Sequence, residues 1–185
     1  IMKKRCEWAK DEPNTTYHDD EWGVPLHDDV GLFEFLILEG AQAGLSWRTI
    51  LNRRDGYRIA FSNFDVVAVS KYTQNHVKKL LQNKDIIRNK LKINSAINNA
   101  KQFVKIQQEF GSFDEYLWGF VNHKPIKNKF KKHSDLACSS IISEKLSQDL
   151  KKHGFTFVGP IICYSLMQAV GMVNDHTSDC YKYLK

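Results

Sequence analysis

Proline is scarce in this 185-residue chain, with four residues, and glycine numbers only ten. That shortage excludes collagen-like repeats and Pro/Gly-rich disordered sequence. Four cysteines are too few for a disulfide framework at this length, and they point to a reducing compartment, the cytoplasm. No uninterrupted apolar stretch reaches the ~18 residues that a membrane helix needs, so no membrane partner is expected. The basic start Lys3-Lys4-Arg5 is followed by no apolar stretch, so no signal peptide is expected either. Internal repeats and low-complexity linkers are also missing. What is present is ordinary for a globular protein: 42% hydrophobic and 26% charged residues. That is enough apolar material for a core without staples, and the length suits a single domain over residues 1–185.

The net charge is +6, and it is unevenly spread. Residues 71–132 carry 14 Lys/Arg against 4 Asp/Glu, whereas the rest of the chain is slightly acidic. A basic middle of this kind suits a polyanion-facing surface, although a solvated lysine-rich exterior would read the same way.

The apolar pattern is helical almost throughout, and no run of strict alternation stands out. Asp28-Asp29 precede Leu32, Phe33, Leu36 and Ile37, spaced as one helix face, with Gly44 as the stop. Ser46 caps a helix carrying Trp47, Ile50 and Leu51, extending past Gly56 to Ile59. Thr73 opens a short helix, Asn83 to Asn89 forms a tight connection, and a long helix runs from Leu91 to Ile106. Ser112 caps the next. Residues 122–138 read as irregular and basic, Ser143 opens a helix that stops at Gly154, and Pro160 sits in the first turn of the last one. The fold class is therefore all-α, with about eight helices. The first 27 and the last 14 residues lack helical periodicity and should fray unless something ties them down.

Cys6 and His18 lie in the first of these tails, His176 and Cys180 in the second. Thiolate and imidazole are preferred zinc ligands, and the three-residue gap between His176 and Cys180 puts both on one side of a helical turn. The gap from Cys6 to His18 is too long to be diagnostic. By spacing alone, two free thiols and two surface histidines are the simpler reading. A filled four-ligand site would leave no open position for water, so metal catalysis is disfavoured.

Trp8, Tyr17, Trp22 and Trp47 fall near helix ends or in the tail, outside the core stripes. Their faces can sandwich a planar ring, best of all a cationic one. Glu39 ends the apolar run Phe35-Leu36-Ile37-Leu38. A carboxylate there is costly unless it is paired, snorkels out, or serves a ligand.

Several longer segments carry a resemblance. They are Arg5-Cys6-Glu7-Trp8, Tyr17-His18-Asp19-Asp20-Glu21-Trp22-Gly23-Val24-Pro25 and Leu38-Glu39-Gly40-Ala41-Gln42-Ala43-Gly44-Leu45-Ser46-Trp47. Phe120-Val121-Asn122-His123-Lys124-Pro125, Cys163-Tyr164-Ser165 and Val173-Asn174-Asp175-His176 continue the series. From Cys6 to Cys180 the chain resembles the bacterial 3-methyladenine DNA glycosylase I family. The resemblance implies an all-helical fold of the helix-hairpin-helix glycosylase superfamily. It implies hydrolysis of the N-glycosidic bond of 3-methyladenine in alkylated double-stranded DNA; no lysine falls in the quoted pocket motifs, so no strand-cleaving lyase step is expected. Free 3-methyladenine is then the product, and a monomer is expected.

Carried over by motif, Cys6, His18, His176 and Cys180 become ligands of one structural zinc per chain, a clamp joining segments 6–18 and 176–180. Glu39 becomes the catalytic carboxylate, and Trp8, Tyr17, Trp47 and Ser165 the base-binding residues. Lys84, Arg88, Lys90 and Lys92, in the basic region, become candidate phosphate contacts. Leu45, beside Gly44, is an apolar tip that can wedge into the duplex, or else a core leucine. In one respect the chain departs from the superfamily: the connection Leu80 to Arg88 contains no glycine. Asp85 and Asp114 are candidates for a superfamily aspartate by residue type alone. A zinc-stapled DNA-binding module without catalysis would explain the charge and the Cys/His pairs, but it leaves Glu39 and the aromatics without a job. An enzyme of broader alkylpurine range remains a further alternative.

Overall fold

A computed structural model describes residues 3–183. Ten α-helices occur among the described residues: α1 (Asn14–Asp20), α2 (Asp29–Gln42), α3 (Trp47–Leu51), α4 (Arg54–Ala60), α5 (Val66–Ser70), α6 (Gln74–Gln82), α7 (Lys90–Phe110), α8 (Phe113–Gly119), α9 (Ile141–Lys152) and α10 (Pro160–Ala169). The all-α expectation holds. Two additional residue pairs, β1 (Ile126–Lys127) and β2 (Val173–Asn174), form a parallel ladder. It is too short to produce any alternation in the sequence.

Helix α2 is the axis of the core. Every residue from Leu32 to Ala41 is buried, Glu34 and Glu39 included, so the helix is covered on all sides. Asp28 caps it by accepting from the Gly31 N–H. Asp29 accepts from the backbone N–H groups of Phe113 and Asp114 and from the Gln107 amide, so one carboxylate ties α2 to the start of α8 and to α7. Ser46 and Ser112 cap α3 and α8 as expected. Asn89 caps α7 by accepting from Leu91 and Lys92. Phe33, Phe103 and Phe113 pack against one another between α2, α7 and α8.

Four local expectations change. The helix after Ser46 is broken: α3 ends at Leu51, and α4 begins anew at Arg54. The helix expected to open at Ser143 opens at Ile141, because Ser140 is its cap. Ser140 accepts from the Ser143 N–H while the Ser143 hydroxyl accepts from the Ser140 N–H. Helix α5, capped by Asp65, carries too short an apolar face to show a period. Helix α1 lies within the supposedly unpatterned N-terminal tail, burying only Tyr17 and His18.

Both tails are tied down. The Gly23 and Leu26 N–H groups donate to the Gln168 and Val170 carbonyls at the end of α10. A Cβ on Gly171 would lie 2.4 Å from the Val24 carbonyl carbon and the Pro25 nitrogen, so only glycine lets the tail approach this closely. Arg5 grips Asp19 with two nitrogens, and the Lys182 ammonium donates to the Asp19 carbonyl.

Candidate active site and metal centre

The N-terminal segment, the C-terminal end of α2, α3 and α10 enclose a cavity of about 550 Å³. Its wall contains all five residues expected to touch a base: Trp8, Tyr17, Glu39, Trp47 and Ser165. Tyr17 lies at the centre of the aromatic group, with ring centroids 5.3 Å from Trp47, 6.1 Å from Trp8 and 6.2 Å from Phe35. Trp8 packs edge-on against Trp22 at 5.1 Å.

Glu39 is 4% exposed and, among the described residues, has no hydrogen-bonding or ion-pairing partner. Burial pushes its carboxyl up from 4.5 to about 8. Tyr17 is raised well above its ordinary value too, chiefly by burial and next by the Glu39 charge. An unpaired carboxyl inside a ring of indoles is costly unless a cationic or hydrogen-bond-donating ligand meets it. Two further wall atoms, the Asn14 Oδ1 and the Trp47 Nε1, are buried without a partner. Isolated polar groups of this kind cost folding energy and cluster where a site awaits a ligand.

The wall also contains residues that the sequence reading did not place there: Asn14, Gln42, Ser46, Arg48, His133, Leu136 and Gln168. Trp22, noted for its position in the tail, belongs with them. Helical spacing could have found three of these. Asn14 lies three residues before Tyr17, Gln42 three after Glu39, and Gln168 three after Ser165. His133 and Leu136 come from the irregular basic segment and carried no such signal.

Leu45 is no core residue. It is 39% exposed, on the turn where Gly44 adopts φ +76°. Lys84, Arg88 and Lys90 are exposed on and just after the connection between α6 and α7. Lys92 is placed differently from these three. Its ammonium donates to the Ala41 and Ala43 carbonyls at 2.8 and 2.5 Å, closing the C-terminus of α2 beneath the Leu45 turn. Partial burial lowers its pKa accordingly.

The α6–α7 connection needs no glycine of its own, since none of its residues adopts positive φ. The close approach is made from the other side. A Cβ on Gly56 of α4 would lie 2.3 Å from the Asp85 carbonyl oxygen, and the Tyr57 hydroxyl accepts from the Ile87 N–H. Asp85 is thus held through its backbone against α4, and Asp114 faces His27 at 2.8 Å. Neither aspartate lies on the cavity wall.

Beside the cavity, Cys6, His18, His176 and Cys180 are all buried, with ligand atoms within 4.8 Å of one another. Three of the Sγ–N separations, Cys6 and Cys180 to His176 and Cys180 to His18, are 3.4 to 3.7 Å. A tetrahedral ion with ordinary Zn–S and Zn–N bonds sets those atoms about 3.6 Å apart. The outer groups fit as well. The His18 Nδ1 lies 2.8 Å from Asp19, which is itself held by Arg5, leaving Nε2 for the ion. The His176 Nε2 lies 3.1 Å from the Trp22 carbonyl, leaving Nδ1. The Cys180 thiol is pulled down by its hydrogen bond with Cys6 and then by the two histidines, and Cys6 is pushed up in turn. These four residues could hold one metal ion with no position open to water.

A match to the methyladenine glycosylase family spans residues 8–183. DNA-3-methyladenine glycosylase 1 of Escherichia coli (strain K12) is 45% identical over 181 residues, covering 97% of each chain. A crystal structure of 3-methyladenine DNA glycosylase I superposes with a TM-score of 0.94 at 43% identity, over 96% of this chain and 98% of that one. The enzyme from Staphylococcus aureus, solved to explain 3-methyladenine recognition, gives 0.92 at 37% identity, over 95% and 94%.

Proposed function

Since this chain belongs to the methyladenine glycosylase family, we propose roles for the residues of its cavity. The reaction is hydrolysis of the N-glycosidic bond of 3-methyladenine in alkylated DNA. Methylation at N3 leaves a positive charge on the purine and weakens the bond to the sugar. The base departs neutral, so little general-acid assistance is required.

The damaged nucleotide leaves the helical stack and its base enters the cavity. Unstacking costs a few kcal/mol, and less at a damaged base. Trp47 and Trp8 supply flat faces for the ring, and Tyr17 packs against it. The Glu39 carboxylate accepts from the 6-amino group. Ser165 contacts the base from α10. In the empty cavity Glu39 holds its proton up to about pH 8. A cationic purine reverses that preference, so the proton is released as the base arrives. When the bond breaks, its electrons neutralise the ring, and water captures the sugar cation. The carboxylate then faces a neutral base and holds it less strongly, which favours release. No lysine lines the cavity among the described residues, consistent with a single hydrolytic step and no Schiff base.

The Cys6, His18, His176 and Cys180 set is assigned one zinc ion. Bound there, it would supply a structural staple between the two tails, the first of which carries Trp8 and Tyr17 to the cavity. Leu45 is assigned to the gap left in the duplex, and Lys84, Arg88 and Lys90 to phosphates. Lys92 acts by holding the Leu45 turn. The whole chain serves as one helix-hairpin-helix domain with residues 71–132 toward DNA, working as a cytoplasmic monomer. No helix among the described residues is long and apolar enough to cross a membrane.

The observation that carries this reading is the buried, unpaired Glu39 among indole faces. Release of free base from methylated DNA tests it: the parent enzyme should liberate 3-methyladenine and Glu39→Gln should lose most of that activity. Binding without release would leave only a DNA-binding module. Comparing 3-methyladenine with 7-methylguanine release measures the breadth of the pocket.

A further inference from the structure

We propose that Arg48 is the anchor for a backbone phosphate of the extruded nucleotide. The inference rests on the base-excision reading above. Arg48 follows Trp47 on α3 and comes three residues after the exposed Leu45. Among the described residues lining the cavity it is the one permanently charged cation. Its guanidinium pairs with Asp11, on the N-terminal segment that forms the facing wall, and both side chains are well exposed, at 42% and 65%. Arg48 therefore reaches from the cavity wall into solvent, where Asp11 meets it.

A phosphodiester cannot follow the base inside. The interior is indole, phenol and a buried carboxyl, where a second anion would be both desolvated and repelled. The phosphates flanking the extruded sugar must stay at the rim, where Arg48 is. A guanidinium matches phosphate oxygens two at a time, which an exposed lysine does not. An exposed ion pair is weak and readily exchanged. Asp11 thus serves as a resting counterion that yields Arg48 when DNA arrives.

The test uses three probes: free 3-methyladenine, followed by quenching of tryptophan fluorescence; an undamaged duplex; and the same duplex with one tetrahydrofuran abasic site. For Arg48→Gln, affinity for the abasic duplex should fall ~10-fold, the scale of a charge-assisted hydrogen-bonded pair. The log–log salt dependence should become shallower by ~0.9, the value for one phosphate contact. The undamaged duplex should lose less, and affinity for the free base should stay within about twofold. Asp11→Asn should bind the abasic duplex at least as tightly as the parent. The proposal is overturned if Arg48→Gln leaves abasic-duplex affinity unchanged, weakens both duplexes equally, or weakens the free base by the same factor. It is also overturned if Asp11→Asn binds the abasic duplex more weakly, because the ion pair would then be structural. A parent protein that fails to bind 3-methyladenine would refute the base-excision reading instead.

Discussion

Glu39→Gln should separate stability from activity. The native carboxyl titrates near 8, against 4.5 for an unburied glutamate. Between those values the folded chain holds a proton that the unfolded chain releases. Stability therefore falls as pH rises from 4.5 to about 8 and is flat outside that window. At 1.36 kcal/mol per pH unit, the burden is ~3 kcal/mol at pH 7 and ~4–5 kcal/mol above pH 8. Glutamine has the same shape and no charge to lose, so the variant escapes the burden. For a chain of this size each kcal/mol is worth ~2–4 °C, so Glu39→Gln should melt up to ~10 °C higher than the parent at pH 7. Below pH 4.5 the two should coincide. Thermal melts followed by circular dichroism across pH 4–9 measure the gap, and base release from methylated DNA is assayed in parallel. Parallel melting curves, with no widening as pH rises, would refute the idea that Glu39 is a desolvated, unpaired carboxyl. A variant that excises normally would remove it from the reaction.

Trp47→Ala should weaken binding of free 3-methyladenine by ~1–3 kcal/mol, the scale of base–aromatic stacking, as titration calorimetry would show; unchanged affinity makes Trp47 a wall residue only. Elemental analysis should find one zinc per chain in the parent. Cys6→Ser should lose metal and melting temperature before it loses turnover at saturating substrate, and a metal-free parent of full stability contradicts the clamp. Gly56→Ala places a methyl 2.3 Å from the Asp85 carbonyl oxygen, backbone against backbone. It should cost ~1–3 kcal/mol by overpacking and weaken duplex binding while sparing the free base. Duplex affinity equal to the parent's would show that the α6–α7 connection does not face DNA.

The local chemistry of the helices is legible in the sequence. Asp28, Ser46 and Ser112 each sit just before a helix and satisfy its first N–H groups, and a capping side chain acts within three residues of itself. The spacing of Leu32, Phe33, Leu36 and Ile37 is legible as one apolar helix face, but burial of the whole run from Leu32 to Ala41, Glu34 and Glu39 included, is not. Short elements such as α1 and α5 escape, because one or two turns do not establish a period. The segments around Trp8, Tyr17, Glu39 and Trp47 were legible as motifs, and all four meet on one cavity.

What the sequence alone determined is therefore the residue types, their local caps and the kind of chemistry they can perform. The tertiary structure decided what each of them faces. Only folding brings Cys6 and His18 to His176 and Cys180, across 157 intervening residues, so that four weak signals become one cluster. Only folding puts Gly56 under Asp85, ties Lys92 to the end of α2, and sets Arg48 against Asp11. The proton on Glu39 belongs to this second class. A carboxyl's affinity for it is set by the water and charge around it, and no string of residues specifies that until the chain has closed over it.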